Sequence, residues 1–446
     1  MFSRRALKPR LDALVPHLGA KAVADLAARI DRRGRGRLPA MWEAVWLHGL
    51  GELGPIGHEQ PLPDGAKPDF RITVPFGERT VDVVGDITCV SDRGLHDQNP
   101  VDLFWEQVVA RIRSAKLDPN HFRYQIGHGT VGDWPNIRTV LTLPPRREMA
   151  NFIKEQVVPF LRELANVRPT TARREFRSSE VQLTLAYDNR QEFGGGGHAS
   201  YNHLTAETDN PIYARLKAKE DQLRTAPEGA LRVVILCDTG CQAMQKQVFS
   251  NNQSADKIAH AFLQQSSVID TVLLVSVEAH APMDLHNRRY AIEARITSAP
   301  AVEGTRRNQA SGAAVRAYLD RALKHLPFPV LDAHNAALRI DEPTPGRGTL
   351  GISMDSNRIR LSARVVLDLL AGKISHEEFQ RTYGWDTASE RAQPNPFTQA
   401  VECGQLFTAA SVDVGGDADD DWLEFSFGKP DPAAAPFRMG TVDELA

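Results

Sequence analysis

The amino-acid sequence predicts an α/β protein, a mixed sheet flanked by helices, followed by a small C-terminal α+β domain. Three observations carry that prediction. Between about residues 55 and 92 the apolar period is two, as strands require. Leu231 to Cys237 is nearly all apolar, the pattern of a strand buried on both faces of a parallel sheet. Helix-period segments alternate with strand-like ones on either side of that run, an order that places helices on both faces of a sheet.

Taken along the chain, Leu11, Leu14, Val15, Leu18, Val23, Leu26 and Ile30 mark a helical arm interrupted near Pro16 and Gly19. Leu38 to Leu47 follows as an amphipathic helix carrying Glu43. Ile56 to Pro61, Asp69 to Val74 and Thr80 to Val90 read as three short strands, with Pro75-Phe76-Gly77-Glu78 turning the chain between the last two. Asn99-Pro100 opens a helix whose apolar face is Val101, Phe104, Trp105, Val108, Val109 and Ile112. Phe122 to Ile126 reads as a strand, Glu148 to Leu164 as a helix kinked at Pro159, and Ser179 to Tyr187 as a strand with one buried face. Gly194 to Gly197 is too flexible a run for the interior of an element.

Asn210-Pro211 opens a helix over Ile212 to Leu223, and the apolar strand, a helix over Ala255 to Gln264 and a strand over Thr271 to Val277 complete the alternation. Beyond about residue 330, Pro343-Thr344-Pro345-Gly346 breaks the pattern and Ser375-His376-Glu377-Glu378 has the spacing of a capping box. The expected units are a basic helical arm at 1–37, an α/β domain at 38–330 and a small C-terminal domain with an acidic tail at 331–446.

Composition narrows the function classes. With 446 residues, 42% apolar and 24% charged, the chain can build a full core without staples. Cys89, Cys237, Cys241 and Cys403 form neither a disulfide framework nor a paired zinc site, which fits a reducing cytoplasm. No apolar run approaches the roughly 18 residues of a membrane span, and Arg4, Arg5, Lys8 and Arg10 lack the apolar core of a signal peptide behind them. The cluster Arg32, Arg33, Arg35 and Arg37 would contact phosphates or pair with the acidic tail around Asp417 to Asp421. His198 and His203 with Asp209 make a weak candidate metal set in a glycine-rich segment. There is no phosphate-binding loop, zinc-peptidase motif, serine-hydrolase elbow or dinucleotide fingerprint, so those chemistries drop out.

The residues that point to chemistry are Lys67-Pro68-Asp69-Phe70 and, at hairpin distance, Val81 to Val90 with Asp86. Carboxylates at the ends of adjacent strands can share one divalent cation, and such a metal can activate water against a phosphodiester. The plainer reading of each acid is turn chemistry: Pro-Asp opens strands by capping local amides, and Asp86 could bind a loop amide.

In order, Glu43, Gly57-His58-Glu59, Pro68-Asp69 and Gly85-Asp86-Ile87-Thr88 resemble the PD-(D/E)XK nuclease superfamily over about residues 38–126, and with it the restriction-endonuclease-like core. The resemblance implies that Asp69, Asp86 and the Ile87 carbonyl hold Mg²⁺ or Mn²⁺ and that Glu43 orients the attacking water. It also implies cleavage of nucleic acid, DNA rather than RNA, in a setting such as anti-phage defence. Thr88 departs from the pattern, since the family has a lysine there whose charge a hydroxyl cannot supply. Members of the superfamily can carry that cation on a neighbouring helix. Lys219 is the first choice, because its helix precedes a buried strand and Gln222 shares its face; Lys116 is the second. The alternative is a catalytically inactive nuclease-fold protein that binds nucleic acid or serves as an assembly subunit, with a protein partner or a second copy of itself.

Overall fold

The computed structural model describes residues 1–446 apart from 33, 135, 202–203, 205, 246–252, 281–288, 304, 308, 339–352, 356–357, 384, 386–394, 415–420 and 437–446. Helices α1 (Arg4–Leu18), α2 (Ala20–Asp31) and α3 (Arg37–Gly51) lead into the hairpin β1 (Phe70–Phe76) and β2 (Arg79–Val90). Then come α4 (Arg93–Gln98), α5 (Val101–Ser114), β3 (Phe122–Ile126), β4 (His128–Val131), β5 (Arg138–Leu141), α6 (Arg146–Phe152) and α7 (Val158–Val167). Strands β6 (Thr171–Arg177), β7 (Gln182–Asp188) and β8 (Gly195–Gly197) follow, and α8 (Pro211–Leu223), β9 (Leu231–Asp238), α9 (Ala255–Gln265), β10 (Thr271–His280), β11 (Arg289–Ser298), α10 (Gln309–Leu323) and α11 (Ala333–Leu338) return the chain to the hairpin.

The central sheet is mixed, in the order β1-β2-β9-β10-β11. β2, β9 and β10 run parallel, and each edge strand is antiparallel to its neighbour. Alternation of side chains sends Val84, Val90, Val234 and Leu236 into a core shared with α5, α8 and α9. It sends Val83, Ile87, Val233 and Ile235 into a second core beneath α1, α3 and α10. Every residue of β9 is buried, which is why its sequence is apolar apart from Arg232 and Asp238 near its two ends. The segment between β2 and α8 adds its own sheet, β6-β7-β3-β8, packed through Phe122, Leu183 and Leu185 on the first core.

The C-terminal unit comprises β12 (Ser353–Asp355), β13 (Arg358–Ser362), α12 (Ala363–Leu370), α13 (His376–Thr382), α14 (Pro396–Glu402), β14 (Phe407–Asp413) and β15 (Trp422–Phe427). It has its own small core around Leu361, Phe379 and Trp385. The capping box is present at its α13: Ser375 and Glu378 exchange backbone and side-chain hydrogen bonds at 2.9 and 3.1 Å.

Several expectations change. Residues 1–37 are not a separate arm, because Leu7, Leu11, Leu14, Val23, Leu26 and Ile30 are buried with α3 and the sheet. The break between the first two helices falls at Gly19, whose φ of 82° suits glycine. The second boundary also moves, since Ala333 and Ala336 of α11 belong to the central core. Ile56 to Pro61 contributes only a bridge between Gly57 and Arg71, in a stretch where Pro55 and Pro61 withhold ladder donors. The chain over 146–167 relaxes through a π-helical turn at Ile153–Val157, so Pro159 sits in the first turn of α7, where its missing N–H costs nothing. Three of the four glycines form β8 beside β3, because a Cβ on Gly196 would lie 2.3 Å from the Tyr124 ring. Pro343 to Gly346 and the acidic stretch 417–420 lie outside the described residues.

Gly85 of β2 opposes Phe70, and a Cβ there would sit 2.2 Å from the ring. Gly85→Val should therefore cost about 1–3 kcal/mol by overpacking. The expected reading is a lower urea midpoint at unchanged m; an unchanged midpoint would mean that the ring moves aside freely.

Candidate active site

Asp86 lies in β2 and faces α8, and it is wholly buried. Its partner is Lys219, whose Nζ donates to Asp86 Oδ1 at 3.0 Å. Gln222 Nε2 approaches the same oxygen at 3.3 Å, and Lys219 also donates to Gln222 Oε1 at 2.7 Å. Gln222 donates further to the Lys67 carbonyl at 3.0 Å, tying the helix to the turn that carries Asp69. These two side chains meet because residues three apart on a helix share a face.

Asp69 immediately precedes β1. That strand begins at Phe70, opposite Gly85, so the edge of β2 beyond Gly85 has no backbone partner from β1. Asp69 Oδ2 takes the place of one, accepting the Ile87 N–H at 2.7 Å. N–H and C=O of one strand residue point to the same edge, which directs the Ile87 carbonyl toward Asp69 as well. Asp86 Oδ2 is buried and receives no hydrogen bond. Burial, then the negative charge of Asp86, push the Asp69 carboxyl up to about 7, against the pull of the Ile87 amide and Lys219. Burial also raises Asp86, with Lys219 opposing it. Two facing carboxyls that cannot both ionise freely titrate as one unit.

Glu43, on α3, is close enough to Asp69 for their charges to interact, but its Oε1 is held by Arg29 of α2 at 2.7 Å. Burial raises its carboxyl, and Arg29 works against that rise. Nothing near Glu43 in the sequence points to Arg29, which reaches it only because α2 packs on α3. Thr88 is buried on the Asp86 side of β2. Lys116 closes α5 with a φ of 57° and is exposed, with no contact to the acids. Among the described residues no three His, Cys, Asp or Glu side chains gather as a metal cluster.

A second pair of acids lies at the strand ends. Asp238 accepts from the Gly240 and Cys241 amides at 2.8 Å each, and Asp92 accepts from Gln242 at 2.8 Å, so both shape the loop after β9. Burial pushes Asp238 up to about 7. His198 packs on Tyr201 and Asp209 pairs with Arg138, while His203 lies outside the described residues. No helix among the described residues is long and apolar enough to cross a membrane. In comparisons with known proteins the chain matches no family model, no curated protein and no solved structure.

The raised Asp69 carboxyl fixes the sign of a pH effect. The folded protein holds a proton that the unfolded chain releases near pH 4, so stability falls as pH rises from about 4 to about 7. Asp69→Asn should raise the melting temperature at pH 8 and flatten this slope; an identical pH profile in variant and wild type would show that Asp69 ionises freely.

Proposed function

We propose that this chain is a divalent-metal-dependent phosphodiesterase acting on nucleic acid, DNA rather than RNA, on a restriction-endonuclease-like core. The observation that carries the reading is the contact of Lys219 with Asp86, beside Asp69 at the open end of the hairpin. A cation thus stands against paired acids although Thr88 occupies the position of the family's lysine. The order of a helix with an acid, a hairpin with two acids, a helix with a lysine and a parallel strand agrees with that superfamily.

The donor set fits Mg²⁺ or Mn²⁺. Asp86 offers a buried oxygen that no donor satisfies, and Asp69 and the Ile87 carbonyl add hard oxygens. Mg²⁺ sites commonly use one or two carboxylates and take their remaining ligands from water and substrate phosphate, so a third acid is not required. When bound, the cation would activate water and offset phosphate charge. Lys219, fixed by Asp86 and Gln222, would hold positive charge where the anionic phosphate must come. Glu43 would orient water only after leaving Arg29. That ion pair, with Thr88, favours the second reading, an inactive nuclease-fold protein that binds nucleic acid or serves in an assembly. The setting that the superfamily suggests is anti-phage defence in the cytoplasm.

Asp69→Ala and Asp86→Ala should each abolish Mg²⁺- or Mn²⁺-dependent cleavage of DNA, and Lys219→Ala should lower its rate by about 10²–10³-fold, a few kcal/mol of transition-state stabilisation. Lys116→Ala should cleave like wild type. Mn²⁺ should raise the melting temperature more at pH 8 than at pH 6, because the ion must displace the Asp69 proton. Wild-type protein that cuts no linear, supercoiled or single-stranded substrate would establish the second reading.

A further inference from the structure

A groove of about 850 Å³ runs along the C-terminal ends of β2 and β9, between α8 and the segments that begin α3 and α4. Open parallel sheets bind ligands at this edge. One face of α8 connects the groove to the acids: Arg215, Lys219 and Gln222 follow at i, i+4 and i+7, with Arg215 lining the groove and the other two on Asp86. Cys89 and Val90 continue β2 from Asp86 into the same wall.

The groove carries several positive groups. Arg35, Arg93, Arg138 and Arg215 line it with His96 and His334. Arg35 meets Asp97, and Arg138 meets Asp209, each at 3.5 Å, which is long for an ion pair. Among the described residues Asp102 is the remaining acid in the wall. Arg93 and Arg215 make no ion pair with the described residues, so two guanidinium groups stand ready for an anion. The α8 N-terminus, capped by Asn210, opens on the same space and adds the positive end of its dipole.

Four arginines from four separate segments are more than a single phosphate needs and suit a ligand that carries several. Among the described residues that line it there is no Phe, Tyr or Trp on which a base could stack. A volume of this order takes one extended ligand rather than a duplex. We propose that the groove binds the sugar-phosphate backbone of one polynucleotide strand and leads it along α8 to the acid pair. The destination rests on the phosphodiesterase reading; the binding does not. Contacts of this kind fix position without reading sequence and depend steeply on salt.

The test is binding in the absence of divalent metal, by fluorescence anisotropy of a labelled oligothymidylate of about 12 nucleotides against a duplex of equal length. Arg93→Ala and Arg215→Ala should each weaken strand binding several-fold and lower the slope of log K against log salt by about 0.7 per lost phosphate contact. Arg215→Glu should bind more weakly still and Arg215→Lys should recover most of the affinity, while circular dichroism reports that each variant is folded. Arg215 is exposed on a helix, so its variants keep the test interpretable if Arg93→Ala unfolds. Unchanged affinity and salt slope in the Arg215 variants, or preference for the duplex, would overturn the proposal. Wild-type protein that binds the strand in this Arg215-dependent way but cuts nothing would remove the phosphodiesterase reading and leave the groove standing.

Discussion

A carboxylate buried in the middle of a sheet must be matched by positive charge, and Asp86 makes that demand on the rest of the fold. Leaving such a charge alone costs several kcal/mol, roughly 3–5 when one partner of a buried pair is removed. Lys219 meets the demand from a helix far along the chain, so the helix cannot slide or rotate without exposing the cost. Its register is set from beneath by Ile212, Leu216 and Leu223 in the first core. It is pinned at the side by Glu220, which accepts from Ser266 Oγ at 2.6 Å. Structure and chemistry therefore ask the same thing of α8.

A comparable economy governs the N-terminal helices. Arg29 reaches Glu43 because α1 and α2 fold back on α3, and Arg37 is buried by donating to the Ile30 and Asp31 carbonyls. Positive charge that looks like a phosphate-binding surface in the sequence is partly spent on holding helices together. Among the described residues of that cluster, Arg35 reaches the groove.

What the sequence made legible was local. The hairpin, the nearly all-apolar β9 and the helix from Pro211 follow from periodicity and turn residues within a few positions of one another. Lys219 could be chosen from helix geometry, because Gln222 on the same face and the buried strand after it restrict which way that face points. Other features depended on partners distant in sequence. β8 exists because Tyr124 fills the space where side chains would stand, and nothing near Gly194 to Gly197 announces that ring. The Arg29 to Glu43 pair and the burial of α1 likewise needed the packing of three helices at once.

The crossover between neighbouring strands has a consequence in time. β2 pairs with β9 residue by residue, yet 133 positions separate Asp86 from Lys219. At about 5–20 residues per second, a ribosome needs on the order of 10 s to make that stretch. The hairpin with both acids thus emerges while its lysine does not yet exist, and the sheet cannot close around Asp86 until the intervening unit has been made. A nascent chain of this protein therefore holds both acids well before it holds the cation that faces them.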